Sequence, residues 1–480
     1  MRRSLQYCIG FVFLFAAGCA TESPRAHHVP DAASSSAVAR ADDQYLYLRF
    51  NPGDAKKTIQ DSDETVALLL DTDGDAATGF RRREKPFAAM GADMEIQFSP
   101  VNPRGGAPGK GVAFYRLDQA GGRSQLRAED FDFLFAPTYA SRWYDARVSR
   151  FFAASSGLPT AGLASNGKGR GAFVIYDQRG RIVGYSDPFE VEFPPIASAP
   201  KRSNDGIPPK SPDAVRIMAW NVWGKMQESP EKFCAVIRTI NPDIIMLSEW
   251  KSDAPTLEQL LNRNMRGEIG IAVAWNAAAG PGVAVASVFP TRLAGPNNLE
   301  LGWNGEKRKV RFVSAAVQTP VGPVLVGAMH LKCCGGSGSN EDALRIAEVD
   351  TINQAMQQIS RADAADIRVL GGDLNLVGSR VPLDILCLNA DADGSDLTPA
   401  DPVVLGDDWL YTWRDWGSGF SPGRLDWLAY SDATAQPVRQ FVFDPARLSD
   451  SALAKIGLSR ADAQPSDHLP VVVDFKPIAR

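Results

Sequence analysis

The chain has 480 residues, 44% hydrophobic and 22% charged, with a formal net charge of −5. The length points to two domains of ordinary globular composition. The acidic balance argues against a protein that grips duplex nucleic acid by bulk electrostatics, which needs an overall basic chain. A local basic patch stays open, and Lys307-Arg308-Lys309-Val310-Arg311 is the densest one. It either contacts an anionic polymer or merely flanks a strand.

Arg2 and Arg3 precede an apolar stretch, Ile9 to Ala17, that is too short to span a bilayer. Small residues follow and end in Ala16-Ala17-Gly18-Cys19. This segment resembles a bacterial lipoprotein signal with its lipobox. The resemblance implies cleavage before Cys19, lipid attachment to its thiol, and a location at the cell envelope; a plain secretory signal is the alternative. Ala20 stands where an aspartate would signal inner-membrane retention, so the expectation is an outer-membrane anchor. Residues 20–41, rich in Ala, Ser, Pro and Arg, are read as a flexible tether. His27 and His28 lie within it and are read as inert.

From residue 42 to 195 the pattern is short alternating strands separated by Gly- and Asp-rich turns. Tyr45 to Phe50, Val66 to Leu70, Met94 to Phe98, Gly111 to Tyr115 and Ala172 to Tyr176 are examples. This spacing predicts an all-β sandwich. Asp71, Asp73 and Asp75 alternate in the turn after Leu70, as oxygen ligands for a hard cation such as Ca²⁺ would, or as a simple Asp-rich turn. The stretch Leu70 to Gly79, with Gly91 to Glu95, resembles family 9-type carbohydrate-binding modules. That resemblance implies a carbohydrate partner, although sandwiches host many roles. Residues 196–212, rich in Pro, Ser and Lys, are expected to be an interdomain linker.

From 213 to 477 the texture changes to strands alternating with helical stretches, which predicts a layered α/β sandwich. Predicted strands include Val215 to Trp220, Asp243 to Leu247, Gly282 to Val288, Val310 to Gln318, Val324 to Met329, Ile367 to Leu370, Leu425 to Tyr430 and Leu469 to Phe475. Helical spacing covers Pro230 to Ile240, Thr256 to Asn264 and Glu341 to Ile359.

Polar residues recur just past the apolar strands: Asn221, Glu249, His330, Asp373 with Asn375, Asp426, and Asp467 with His468. Each alone has a bland reading as a cap, a turn residue or a satisfied strand-end side chain. The two glycines of Gly371-Gly372 are expected to end their strand. If the chain stays extended past them, Asp373 and Asn375 point to one side. Asp426 lies inside an apolar strand and needs a partner, for which His468 is the candidate. Only two histidines occur in this half, and both fall among these positions.

The strings Met218 to Trp223, Asp243 to Glu249, Met329-His330-Leu331, Gly371 to Asn375, Arg424 to Trp427 and Ser466 to Pro470 together resemble the endonuclease/exonuclease/phosphatase superfamily, with its DNase I-like fold. The resemblance implies an α/β four-layer sandwich that cleaves phosphoester bonds with Mg²⁺ or Mn²⁺. It assigns Asn221, Glu249 and Asp467 to the metal. Asp373 would orient or deprotonate the attacking water, and Asn375 would hold the water or the phosphate. Asp426 would fix His468, which contacts phosphate or moves a proton. His330 would bind phosphate or protonate the leaving group. Apart from the resemblance, Lys251 follows Glu249 closely and is read as touching a phosphate or as a simple solvated lysine.

The expected function is therefore a metal-dependent phosphodiester hydrolase, nuclease-like and monomeric, held to the membrane by its lipid. Phosphomonoesterase or sphingomyelinase-like action is the nearer alternative. A surface glycan-binding protein with an inactive second domain is the farther one. Cys234, Cys333, Cys334 and Cys387 leave disulfides open, and their spacing does not suit zinc. The glycines after Cys333-Cys334 suggest a mobile loop near the site.

Overall fold

The computed structural model describes residues 37–52, 58–81, 90–158, 163–164, 167–265 and 274–478. Cys19, the expected signal segment, His27 and His28 lie outside the described residues. No helix among those described is long and apolar enough to cross a membrane.

The first domain is an antiparallel sandwich. One sheet orders Ala37–Ala41, Tyr45–Phe50, Tyr144–Ser149 and Leu134–Ala136. The other is built around Lys168–Tyr176, Thr65–Asp71, Met94–Phe98 and Val112–Leu117. Alternation puts one face of each strand inward, and that face is aromatic. Phe50 stacks on Phe173 with ring centroids 4.1 Å apart, and Phe98 meets Phe135 at 4.8 Å. The expected tether ends earlier than residue 41. Ala37–Ala41 pairs along its whole length with Tyr45–Phe50, because Ala39 and its neighbours can cover the sheet edge.

The acidic turn also differs from expectation. Asp75 is exposed, and its Oδ1 accepts the Ala77 N–H at 2.8 Å, so its carboxylate turns back on its own loop. Asp93, from the start of the next strand, takes its place beside Asp71 and Asp73.

The second domain has two mixed sheets packed face to face. One orders Asn276–Gly280, Val283–Ser287, Ile244–Ser248, Val215–Asn221, Val471–Pro477, Ala435–Val442 and Val403–Val404. The other orders Thr291–Leu293, Phe312–Thr319, Gly322–His330, Ile367–Asp373, Asp426–Tyr430 and Thr398–Pro399. Val, Ile and Ala fill the space between them. Helices Pro230–Ile240 and Ala254–Asn264 cover the outer face of the first sheet, and Asn340–Ala362 and Val381–Cys387 cover the second. The result is the expected four-layer sandwich. Two helices start on side-chain caps: Asp253 accepts from Thr256 N at 3.0 Å, and Ser339 from Asp342 N at 3.1 Å.

The two domains share a polar and apolar seam. Arg147 of the sandwich makes a two-pronged pair with Asp407, at 2.5 and 2.9 Å. Arg447 returns the same pair to Asp132 of the sandwich, at 2.5 and 2.8 Å. Burial alone would raise both carboxyls, but the guanidiniums outweigh it and hold Asp132 and Asp407 below the usual range. Tyr47 and Leu134 of the sandwich join the core of the second domain. The segment expected to be a linker lies along both: Lys201 N donates to Gln44 Oε1 at 2.8 Å, and Ser203 N donates to Arg447 O at 2.9 Å.

Candidate active site

Three neighbouring strands end in line. Gly322–His330 runs parallel to Ile367–Asp373 with His330 opposite Asp373, and Asp426 lies opposite Asp373 on the other side. In the facing sheet, Asn221 stands opposite Ser248. Ser248 ties the sheets together: its Oγ donates to Met329 O at 3.0 Å and accepts Asp373 N–H at 3.3 Å. Gly371 and Gly372 do not end their strand, which runs on to Asp373. They permit close approach instead. A Cβ on Gly371 would strike Trp427 O, and one on Gly372, at φ +133°, would strike Met329 O.

Asp426 Oδ2 accepts from His468 Nδ1 at 2.7 Å and from Thr412 Oγ1 at 2.8 Å. His468 Nε2 then lies 3.8 Å from Asp373 Oδ2. Burial opposes charge on this ring, but Asp426 and Asp373 prevail and raise His468 to about 10. It is a cation at neutral pH. His330 behaves oppositely. Burial, with the positive charge of Arg311 and His468, holds it down to about 4, although its Nε2 is 3.5 Å from Asp373 Oδ2. Burial raises the carboxyl of Asp373, and the two histidines pull against that. Asp373 Oδ1 accepts the Asn375 N–H at 3.0 Å. Asn375 is not extended; it turns at φ +48° and donates from Nδ2 to Leu331 O at 3.2 Å.

Asn221 joins the two halves of the cleft. Its Nδ2 donates to Asp373 Oδ2 at 3.0 Å and lies 3.3 Å from Glu249 Oε1. Glu249 follows its strand in a left-handed conformation, φ +59°, which fixes where its carboxylate leaves the sheet. Ser466 Oγ donates to Asn221 O at 2.8 Å and so draws Asp467 and His468 to the same strand end. Asp467 accepts Trp413 Nε1–H at 2.9 Å. Glu249 and Asp467 offer carboxylate oxygens, donors that suit a hard divalent cation. Asn221 turns its Nδ2 toward Glu249 while its Oδ1 accepts the Trp223 N–H at 2.9 Å, so its oxygen would join them only after the amide turns. One ligand-type atom from each of Asp373, Asp426 and His468 also lies within 4.8 Å of the others. There, however, His468 Nδ1 is already bonded to Asp426. Lys251 is exposed and lies over the turn at Gly224.

Four residues at this site are not among the sequence expectations for it. Arg311 Nη1 is 2.9 Å from His330 Nδ1, and its Nη2 donates to Leu331 O at 2.5 Å. Thr412 holds Asp426, Trp413 holds Asp467, and Ser248 bonds the sheets. Of these, Arg311 had a visible signal, since it ends the basic run, but charge spacing alone does not say which member turns inward. Cys234, Cys333, Cys334 and Cys387 are free thiols, with the Cys333 and Cys334 sulfurs 2.8 Å apart.

Residues 218–468 match the model of the Endonuclease/Exonuclease/phosphatase family. The chain belongs to that family. The matched segment begins in the strand of Asn221 and ends on His468, so it contains every catalytic and metal residue expected from the sequence. No curated protein matches the chain by sequence. Among solved structures, the human Nocturnin catalytic domain with bound sulfate is similar at 18% identity and TM-score 0.36, over 56% of this chain and 97% of that one. Sphingomyelinase C from Streptomyces griseocarneus is similar at 16% identity and TM-score 0.35, over 55% and 99%. The 3′-5′ exonuclease NExo from Neisseria meningitidis is similar at 18% identity and TM-score 0.34, over 55% and 100%. As a member of a hydrolytic family acting on phosphoesters, the chain is an exonuclease/endonuclease/phosphatase-type hydrolase in its second domain.

Proposed function

We propose that this chain is a Mg²⁺- or Mn²⁺-dependent phosphodiesterase, nuclease-like, tethered to the cell envelope through lipid on Cys19. The observation that carries the reading is the chain Asp426–His468–Asp373. A bond of 2.7 Å fixes and charges the ring, whose other nitrogen is 3.8 Å from a buried carboxylate. Such a histidinium offers its Nε2–H to a phosphate oxygen and stabilises charge that builds there in the transition state. Asp373, aligned by the Asn221 amide and the Asn375 N–H, orients the attacking water and accepts its proton. His330 stays neutral beside Arg311, so this pair adds one positive charge, on the guanidinium, at the opposite edge. A hard divalent cation held by Glu249, Asn221 and Asp467 would neutralise phosphate oxygens and the leaving oxygen when bound.

The test is turnover of plasmid DNA, RNA and a bis-aryl phosphodiester with Mg²⁺, with Mn²⁺ and with chelator. Sphingomyelin and an aryl phosphomonoester serve as rival substrates. Metal-dependent diester cleavage that falls by about 10² to 10⁴ in Asp373→Ala is expected. Absence of turnover on every phosphoester would overturn the enzyme reading. For the anchor, Cys19→Ser should move the chain from the membrane fraction to the soluble one; unchanged fractionation would remove the lipid.

A further inference from the structure

The turn after Thr65–Asp71 gathers three carboxylates away from the catalytic cleft. One oxygen from each of Asp71, Asp73 and Asp93 lies within 4.8 Å of the others. Most of their hydrogen bonds hold the loop in shape. Asp71 Oδ1 accepts the Gly74 N–H at 2.6 Å. Asp73 accepts Asp75 N–H at 2.8 Å on one oxygen and Thr78 Oγ1–H at 2.8 Å on the other. Asp93 Oδ2 accepts Thr72 N–H at 2.9 Å and Thr72 Oγ1–H at 3.1 Å. The exception is Asp71 Oδ2. It is buried without a hydrogen-bond partner, on a residue only 1% exposed.

The backbone enforces this crowding. Asp93 N donates to Leu70 O at 2.9 Å, and Phe80 and Ala92 exchange backbone bonds at 2.7 and 3.0 Å. Gly79 lets the two segments close: a Cβ there would sit 2.7 Å from Asp93 Oδ1. A Cβ on Gly91 would strike Thr78 O. A fold that drives three acids together and leaves one buried oxygen unsatisfied needs a counter-charge. Among the described residues, no cationic side chain forms an ion pair with any of the three.

We propose that Asp71, Asp73 and Asp93 bind one hard divalent cation of the calcium type, which staples the turn to the neighbouring strand. The donors are all carboxylate oxygens, without the nitrogen or sulfur that softer metals select. Oxygens bound to one Ca²⁺ are at most about 5 Å apart, twice a metal–oxygen distance of about 2.5 Å, and the cluster falls inside that span. Asp75 contributes no ligand.

The test is the unfolding temperature of the full chain, metal-depleted and then titrated with Ca²⁺ to about 1 mM, the range of weak extracellular sites. Terbium luminescence provides a second readout. A rise in the unfolding temperature is expected for the wild type. Asp71→Asn should abolish it and, with one buried charge removed, unfold no lower than the metal-free wild type. Asp73→Asn, at a half-exposed position that tolerates change, should weaken terbium binding at least about tenfold. Asp75→Asn should keep the full response, and in a Glu249→Gln background, where the cleft adds no metal of its own, the Asp71-dependent rise should remain, which separates this site from the loop surface and from the cleft. The proposal falls if the wild type shows no response, if Asp71→Asn and Asp73→Asn respond as the wild type does, or if Glu249→Gln alone removes the response.

Discussion

At the seam between the domains, Asp132 and Asp407 are matched by Arg147 and Arg447; in the turn after Thr65–Asp71, three aspartates meet one another. The same side chain, wholly or partly buried in both places, is shifted in opposite directions. The guanidiniums lower Asp132 and Asp407, whereas Asp71 and Asp93 are raised. Burial acts alike on both groups, so the sign is set by whether the protein supplies the cation. The candidate active-site cleft lies between these cases. Its carboxylates Asp373 and Asp426 surround one histidine, which takes up a proton because of them.

Removing a cation from the seam should have the largest effect on stability. Arg147 is fully buried, and Arg147→Met leaves Asp407 the Arg447 Nε at 3.0 Å as its cation among the described residues, beside the Asp408 and Trp409 N–H groups. A loss of about 3–5 kcal/mol is expected, read from urea unfolding of the full chain. If Arg147→Met with Asp407→Leu recovers most of it, the seam is matched charge; if the double variant is as weak as the single, packing around Tyr45 carries the effect instead.

The seam should also fail in acid. Because Asp132 and Asp407 have folded values below their unfolded ones, the stability that they contribute is present above about pH 4. It is lost as the pH falls through the lower folded values. Urea midpoints measured from pH 6 downward should drop, and Arg147→Met should flatten that slope. An unchanged slope would mean that other carboxylates govern acid unfolding.

In the cleft, Asp426→Asn removes the charge that raises His468. Activity should fall by about 10², the lower range for a positioned proton or charge group. The alkaline limb of the pH–rate profile should move from near 10 toward the ordinary histidine value of about 6.5. A limb that stays in place would show that Asp373, not Asp426, sets the ring's charge. The stability sign agrees: a raised histidine contributes fully below about pH 6.5 and stops contributing as pH rises through 10.

The sheet strands and the residues at their ends were legible because strand alternation and buried apolar runs are local patterns. Asn221, His330, Asp373 and Asp426 each end or begin a strand much as the pattern predicts. What was not legible depends on contacts across the chain. Asp93 replaces Asp75 because Gly79 and Gly91 fold the lead-in to the next strand back against the turn. Gly371-Gly372 reads locally as a strand end, yet those glycines lie within a strand whose neighbours on both sides leave no room for a Cβ. Thr412 reaches Asp426 across 14 residues of irregular chain, a distance over which no periodicity operates. The alanine-rich strand Ala37–Ala41 has a tether's composition, yet it pairs along its whole length with Tyr45–Phe50.

The smallest effect concerns the part of the seam nearest the cleft. Thr138 of the sandwich donates its hydroxyl to Leu376 O at 2.6 Å and stands 3.3 Å from Arg424 O. Ala140 N–H donates to Gly378 O at 2.8 Å. Leu376 follows Asn375, and Arg424 lies two residues before Asp426, so the first domain grips both loops beside the cleft carboxylates Asp373 and Asp426. Thr138→Val keeps the shape and removes the bond, which should lower stability by about 1 kcal/mol. If the bond also positions the loops, kcat should fall by no more than about fivefold, the rate equivalent of that energy, with KM unchanged. Thr138→Ser, which restores the hydroxyl, should recover the rate. Recovery of stability without recovery of kcat would reduce the sandwich to a scaffold; recovery of both would make it part of the catalytic unit, held there by neutral hydrogen bonds where Arg147 and Arg447 use charge.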